Sequence, residues 1–228
     1  MDKKPISISF ANQKGGIGKS TLTILAASWL RYVRGLNVLV VDCDFPQNSI
    51  VELREREKKA VMKNDAYKLM LQRQFERLQK KAYPVIRSTP ENAENDVGVI
   101  YTISLLNYLF IPMRADRLVM QSTLNFAQTV YDKFVENPAT NIQEVFLFWN
   151  MEDRRERTNI YTLYERILAT LDMKVYISRI QMRSKFSREL ADADGTVYRS
   201  TLFRSDGTFL RESGMAALMD EICTTIGI

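Results

Sequence analysis

The stretch Ile6–Thr21, ISISFANQKGGIGKST, constrains the fold of this chain more than any other. Apolar residues alternate at Ile6, Ile8 and Phe10, the period of a strand. From Gln13 to Gly18 glycine is too frequent for the strand to continue, and Ser20 opens an apolar-periodic helix. Gly15, Gly16 and Gly18, with Ile17 between them, can turn successive N–H groups inward and form a concave anion site at the helix N-terminus. Lys19 adds a full positive charge for the β and γ phosphates of a nucleotide. The Ser20 hydroxyl is placed to ligate Mg²⁺, and Thr21 is left for the α phosphate. A nucleoside triphosphate with Mg²⁺ is therefore the expected ligand. A glycine turn that only lets a helix pack close to a strand is the competing reading, and the coincidence of strand, loop, Lys-Ser and helix weighs against it.

Composition narrows the class. The chain has 228 residues, 46% apolar and 26% charged, which suits one domain spanning 1–228 with a sizeable core. No apolar run reaches the roughly 18 residues of a membrane span, and Met1–Pro5 is too short and polar for a signal peptide, so a cytoplasmic protein is expected. The two cysteines, Cys43 and Cys223, have no metal-ligand spacing and fit a reducing compartment. There is no histidine, which excludes Ser-His chemistry and histidine metal sites.

The strict pattern G-x-x-x-x-G-K-[ST] fails because Gln13 stands where it requires glycine. The form K-G-G-x-G-K-S instead resembles the deviant Walker motif of the ParA/MinD ATPases, and NQKGGIGKST is similar to the ParA version. The resemblance implies a three-layer α/β P-loop NTPase fold, a mostly parallel sheet with helices on both faces. It also implies an ATP-dependent homodimer in which Lys14 reaches the partner's phosphates, much as an arginine finger does. The cysteine contexts argue against a bridging iron–sulfur cluster, and so against the nitrogenase-iron-protein branch of the class.

Leu22, Leu25, Ala26, Trp29, Leu30 and Val33 predict one buried helical stripe, and Val38–Val41 predicts a strand buried on both faces. That strand ends in Asp42-Cys43-Asp44-Phe45-Pro46-Gln47, which resembles the family's D-x-D-P-Q with Phe45 inserted. By this resemblance Asp44 orients the attacking water and Asp42 lies near the Mg²⁺ shell; Asp44 as a cap on the next helix is the alternative. Ile50–Tyr83 reads as helix broken near Asn64-Asp65, with an apolar stripe at Leu71, Phe75, Leu78 and Ala82. Between Glu52 and Lys81, ten Lys/Arg against five Asp/Glu read as a solvated face.

A family member should next show an apolar strand ending in D-x-P, the Walker B aspartate. Here Arg87–Asp96 has loop composition and Val97–Met113 has no acidic residue, while Leu105–Arg117 aligns with the family strand that follows. The Walker B strand is thus expected to be missing, with Asp96 a poor substitute. Met120, Leu124, Ala127, Val130, Tyr131 and Phe134 predict an amphipathic helix, and Val145–Trp149 a strand that delivers Asn150 to the loop's edge. The segments FLFWNMEDRRERTNIYTLYERIL and VYRSTLFRSDGTFLRESGM resemble ParA-like TraA proteins of Bacteroides conjugative transposons. In the wider family an asparagine at this position reads the adenine edge; a turn asparagine is the alternative for Asn150.

Ile160, Leu163, Tyr164, Ile167, Leu168 and Leu171 predict another helix and Val175–Ser178 a last parallel strand. Ser178-Arg179 stands where the family has Pro-Arg near the base, which makes Arg179 a candidate base contact. Lys174–Arg211 carries eight Lys/Arg against four Asp/Glu, suited to non-specific contact with a DNA backbone, with a solvated surface as the alternative. Met215, Leu218, Met219, Ile222 and Ile226 predict a terminal core helix without the lysines of a membrane-binding tail. The expected function is a Mg-ATP-dependent switch in partition, maintenance or conjugative transfer of mobile DNA, with a partition or conjugation protein as partner. A hydrolysis-deficient nucleotide-binding accessory protein and a MinD-like membrane regulator are the alternatives.

Overall fold

The computed structural model describes residues 4–88, 102–153, 155, 159–190 and 195–228. Asp96 and the stretch up to residue 101 lie outside them, and with them the segment on which the missing-strand expectation turns. The chain divides into two compact units. The first comprises Met1–Lys19, Asp96–Arg183 and Ser213–Ile228; the second comprises Ser20–Asn95 and Ser184–Glu212.

The first unit is a four-stranded parallel sheet in the order β1 (Ile8–Phe10), β4 (Tyr108–Met113), β5 (Glu144–Glu152), β6 (Val175–Gln181). Alternation along the strands sorts the residues onto two faces. Leu109, Ile111, Met113, Val145, Leu147 and Trp149 meet Met120, Ala127 and Val130 of α4 (Arg117–Val130) and Tyr161 and Leu168 of α5 (Asn159–Thr170). The opposite face is aromatic: Phe10 faces Phe110, and Phe110, Phe146 and Tyr176 stack, with 4.8 Å between the last two rings. Helix α7 (Met215–Ile226) packs against β6. Gly214 before it takes φ +83°, and a Cβ there would collide with the Arg179 carbonyl, so the turn into α7 needs glycine. On the free edge of β6 the Ile177 and Ser178 N–H groups donate to the Glu221 carboxylate, both at 3.0 Å.

Helix α4 starts where Asp116 accepts from the N–H groups of Leu118 and Val119, and a π-turn at Tyr131–Val135 carries it to Asn137-Pro138. The apolar stripe expected on α5 is only partly buried: Tyr161 and Leu168 enter the core, whereas Leu163, Ile167 and Leu171 are exposed. Those three lie on the outer side of the helix, where no described element covers them. In β1 only Phe10 is fully buried, and Ile6 lies ahead of the strand and is exposed.

The second unit contains α1 from Ser20 onward (the helix runs Lys19–Tyr32), α2 (Ser49–Lys63), α3 (Asp65–Leu78), α6 (Gly207–Glu212) and a two-stranded parallel sheet of β2 (Val40–Asp42) and β3 (Val85–Arg87). Asn64 makes the expected break, ending α2 and accepting from Ala66 N to start α3. Helix α1 is buried more widely than one stripe: Ile24, Ala27, Ser28 and Tyr32 are buried besides Leu22, Leu25, Ala26 and Leu30, while Val33 lies past its end and is exposed. The sheet corrects the expectation of a strand buried on both faces. Val40 packs with Ile24, Ala27, Tyr32, Ile50, Leu53 and Tyr83, but Leu39, Val41 and its register partner Ile86 are exposed.

The charged run on α2 and α3 is not wholly solvated either. Arg54, Glu57 and Gln74 are buried, Glu57 completely. Arg54 donates to Thr201 Oγ1 and Thr201 O, both at 2.7 Å, and Glu57 Oε2 accepts from Thr201 N and Oγ1. Gln74 holds Leu202 O and Arg204 N. Phe75, expected in the α3 stripe, is exposed, because Gln74 is the residue that faces the covering segment.

Candidate functional site

In the first unit the glycine loop is fastened at both ends. Asn12, buried just after β1, donates from Nδ2 to Thr123 Oγ1 at 2.8 Å and to Pro112 O at 3.0 Å, and its Oδ1 accepts from Lys14 N at 3.0 Å. β1 has ended by then, so a side-chain amide continues the bonding along β4 where no strand backbone remains. At the other end Asn150 Nδ2 donates to Ile17 O at 2.8 Å, and Ile17 is itself buried. Gly16 and Gly18 take φ +72° and +84°. A Cβ on Gly18 would stand 3.2 Å from Asn150 Nδ2, so the loop needs glycine there for space as well as for angle. Lys19 Nζ donates to Lys14 O at 2.9 Å, across the mouth of the turn. Gly15, Gly16 and the half-exposed Lys14 line the side open to solvent.

In the second unit the first turn of α1 meets the segment after β2. Ser20 Oγ lies 3.3 Å from Ser49 Oγ, and Ser49 Oγ donates to Asp44 Oδ2 at 3.2 Å. One hydroxyl thus links the serine expected on Mg²⁺ to the carboxylate expected on the attacking water. Asp42 is buried with its carboxylate fully engaged: Oδ2 accepts from Ile50 N at 2.8 Å and Val51 N at 3.0 Å, and Oδ1 from Asp44 N at 3.2 Å. The Ile50 and Val51 N–H groups are orphans of the first turn of α2, so it is Asp42 that caps that helix, the role that stood as the alternative for Asp44. Thr21 Oγ1 accepts from Arg199 Nη1 at 3.1 Å.

The candidate base contacts are held by protein groups. Asn150 is spent on the loop backbone, as described, within β5. Arg179 donates to Glu152 Oε1 at 2.7 Å and Glu165 Oε1 at 2.6 Å and lies over the Tyr161 ring. The basic segment Lys174–Arg211 is divided between the two units, and Lys174, Arg179 and Arg199 form ion pairs with Glu144, Glu152 and Glu165, and Glu189. Lys185 and Arg188 lie over the Tyr198 ring at 4.7 and 5.8 Å. Sequence reasoning missed Asn12, Ser49 and Thr123. Asn12 had a visible signal, a buried-type amide between strand end and glycine loop; the other two had none. Among the described residues there is no cluster of three or more His, Cys, Asp or Glu side chains able to hold a metal, and no helix long and apolar enough to cross a membrane.

Residues 6–139 match the model of the AAA-domain family AAA_31. No curated protein matches the chain. Among solved structures, a plasmid partition protein of Borrelia burgdorferi B31 bound to AMPPNP gives a TM-score of 0.57 at 21% identity, over 96% of this chain and 100% of that one. A plasmid partition protein from Borrelia burgdorferi gives 0.51 at 23% identity, over 79% and 91%. The MinD cell division protein of Aquifex aeolicus gives 0.54 at 14% identity, over 98% of each chain. At these identities the likeness is one of fold, a mostly parallel α/β sheet with helices as in P-loop NTPases. The family match takes in the glycine loop and the first four strands, more than half of the chain, and the chain belongs to the AAA-domain family AAA_31.

Proposed function

We propose that this chain is an ATP-binding, dimerising switch of the ParA type, with both units serving one ATPase domain, and that it acts in partition, maintenance or conjugative transfer of mobile DNA. The observation that carries the reading is the Ser20–Ser49–Asp44 chain, which gathers two hydroxyls and a carboxylate at the residue that directly follows the loop's Lys19. The Borrelia relative bound to AMPPNP supports a nucleotide ligand.

In this reading the amides of Gly15–Lys19 receive the phosphates, and Lys19 Nζ leaves the Lys14 carbonyl for the β and γ oxygens. A charge-assisted bond to phosphate is roughly twice as strong as the neutral one it replaces. Mg²⁺ suits the hard oxygen donors here: Ser20 and Asp44 would hold it or its waters, and Asp42 reaches it only by giving up the amides of α2. The ion, when bound, neutralises charge on the phosphates. Asn150 fixes the loop through Ile17 and presents the remainder of its amide to the base, with Arg179 beside it on β6. Lys14 serves the partner copy's phosphates, and the TraA-like segments point to transfer of a conjugative element.

The engagement of Asp42 favours a second reading, a nucleotide-binding accessory protein that does not turn over. Light scattering and phosphate release test both. The switch reading expects a dimer with Mg-ATP but not Mg-ADP, lost in Lys14→Ala, with phosphate release abolished by Asp44→Ala. A single mass in both nucleotides would sink it, and an ATP-dependent dimer without phosphate release would leave the accessory reading.

A further inference from the structure

Strand β6 lies at one side of the first unit's sheet: β5 pairs with one of its edges, and among the described residues no strand pairs with the other. Its sequence, VYISRIQ, has no proline or glycine, and Val175, Tyr176, Ile177 and Ile180 are all strong strand formers. A strand of this kind left open at a sheet edge is a template for pairing with another chain. Charge is the common protection, yet the one charge in β6 is engaged elsewhere: Arg179 is bonded to Glu152 and Glu165. Ile177, in the middle of the strand, is 90% exposed.

Two features stand in for the missing charge. The first is an irregularity of register. Leu147 pairs with Val175 and Trp149 with Arg179, so an advance of two residues along β5 is matched by an advance of four along β6. Consecutive N–H groups of a regular strand point to opposite edges, whereas those of Ile177 and Ser178 turn to the same carboxylate. The second feature is that carboxylate. Glu221 Oε1 accepts from Ile177 N and Oε2 from Ser178 N, each at 3.0 Å. It is carried by α7, which is itself anchored through the buried Leu218, Met219, Ile222 and Cys223. Farther along β6, Gln181 N donates to Ser213 O at 2.9 Å, so the edge is already closed there and Glu221 covers the stretch left open.

We propose that Glu221 is an edge lock: by occupying the N–H groups of Ile177 and Ser178 it bars a second copy of this chain from adding its own β6 to the sheet. An added strand would have to place carbonyl oxygens where the carboxylate now stands. A second copy is the partner excluded, because it offers the same unpaired edge and two like edges can pair across a two-fold axis. The lock is independent of the nucleotide site.

The test is light scattering without nucleotide over about 10–200 µM protein, the range in which open strand edges associate. It compares wild type, Glu221→Ala, Glu221→Gln and the double variant Glu221→Ala with Ile177→Lys, with urea midpoints measured on each. Wild type should keep one mass throughout. Glu221→Ala should gain mass with concentration, reaching that of two copies or more, and Glu221→Gln, which keeps one oxygen acceptor, should fall between. Ile177→Lys puts a charge on the opened edge and should return the double variant to the wild-type mass. A Glu221→Ala protein that keeps the wild-type mass would overturn the proposal, and a lowered urea midpoint without association would make the contact only a brace between α7 and β6. Association that Ile177→Lys does not reverse would also overturn it, since it would arise from unfolding and not from the edge. So would a wild type whose mass rises with concentration and is returned to one copy by Ile177→Lys, because the edge would then be open with Glu221 in place. Should Glu221→Ala fail to fold, Glu221→Gln with and without Ile177→Lys decides by the same comparison.

Discussion

Asp42→Ala removes the two carboxylate oxygens that accept three hydrogen bonds, two of them from the first turn of α2, a helix of 15 residues. The Ile50 and Val51 N–H groups lose their partner, and loss of a helix cap costs about 0.5–2 kcal/mol. The carboxylate also faces the positive end of the helix dipole from a buried position, a term of up to about 2 kcal/mol in partly buried geometries. Together these predict a loss of roughly 1–4 kcal/mol, at or above the centre of about 1 kcal/mol for a point substitution. Asp42→Asn keeps one oxygen acceptor but no charge and should lose about half as much. Urea unfolding followed by circular dichroism, in buffer free of nucleotide and Mg²⁺, reads this directly. With a slope of about 2 kcal/mol/M the alanine midpoint should fall by about 0.5–2 M. An alanine variant within about 0.5 kcal/mol of wild type, the range of ordinary surface changes, would refute the capping argument and return Asp42 to the metal shell alone.

Burial pushes the Glu57 carboxyl above its ordinary 4.5, against the Thr201 bonds and the charge of Arg54 that lower it. A folded value above the unfolded one means that the native state holds the proton longer, so this group's contribution to stability is present at low pH and lost as pH rises through the folded value. Glu57→Gln has no proton to lose, so its stability relative to wild type should be greater near pH 7 than near about pH 4. Urea midpoints at the two values check this, and a pH-independent difference would contradict it. For DNA, Lys185 and Arg188 are the residues to reverse: the double charge-reversal variant should bind duplex more weakly with a shallower salt slope, read by fluorescence anisotropy. Unchanged binding would make the segment an ordinary solvated surface.

The parts of this fold that were legible in the sequence are those set by local pattern. The strand–loop–helix at Ile6–Thr21, the break at Asn64 and the strand at Val145–Trp149 follow from periodicity, glycine and capping chemistry, whereas the strand at Tyr108–Met113 was reached only through the family alignment of Leu105–Arg117. β3 was not foreseen, because Val85-Ile86 after Pro84 is too short to show a period. The burial of Arg54 and Glu57 was hidden for another reason. A run of alternating charges reads as solvated, and only the return of Thr201 from far along the chain supplies the acceptor and donors that make their burial tolerable. The same non-local return places Arg199 on Thr21, whereas its charge count pointed outward. The loop's glycines were recognisable, but the two asparagines that fasten it act across separations of 100 and 133 residues of sequence.

Isothermal titration of Mg-ATP into wild-type protein and Lys19→Ala tests the central claim, that the fastened glycine loop is a phosphate site. Saturable binding in the wild type that disappears in Lys19→Ala, with both proteins equally folded by circular dichroism, is the predicted result. Equal affinity in the two proteins, or no binding in a folded wild type, would contradict it.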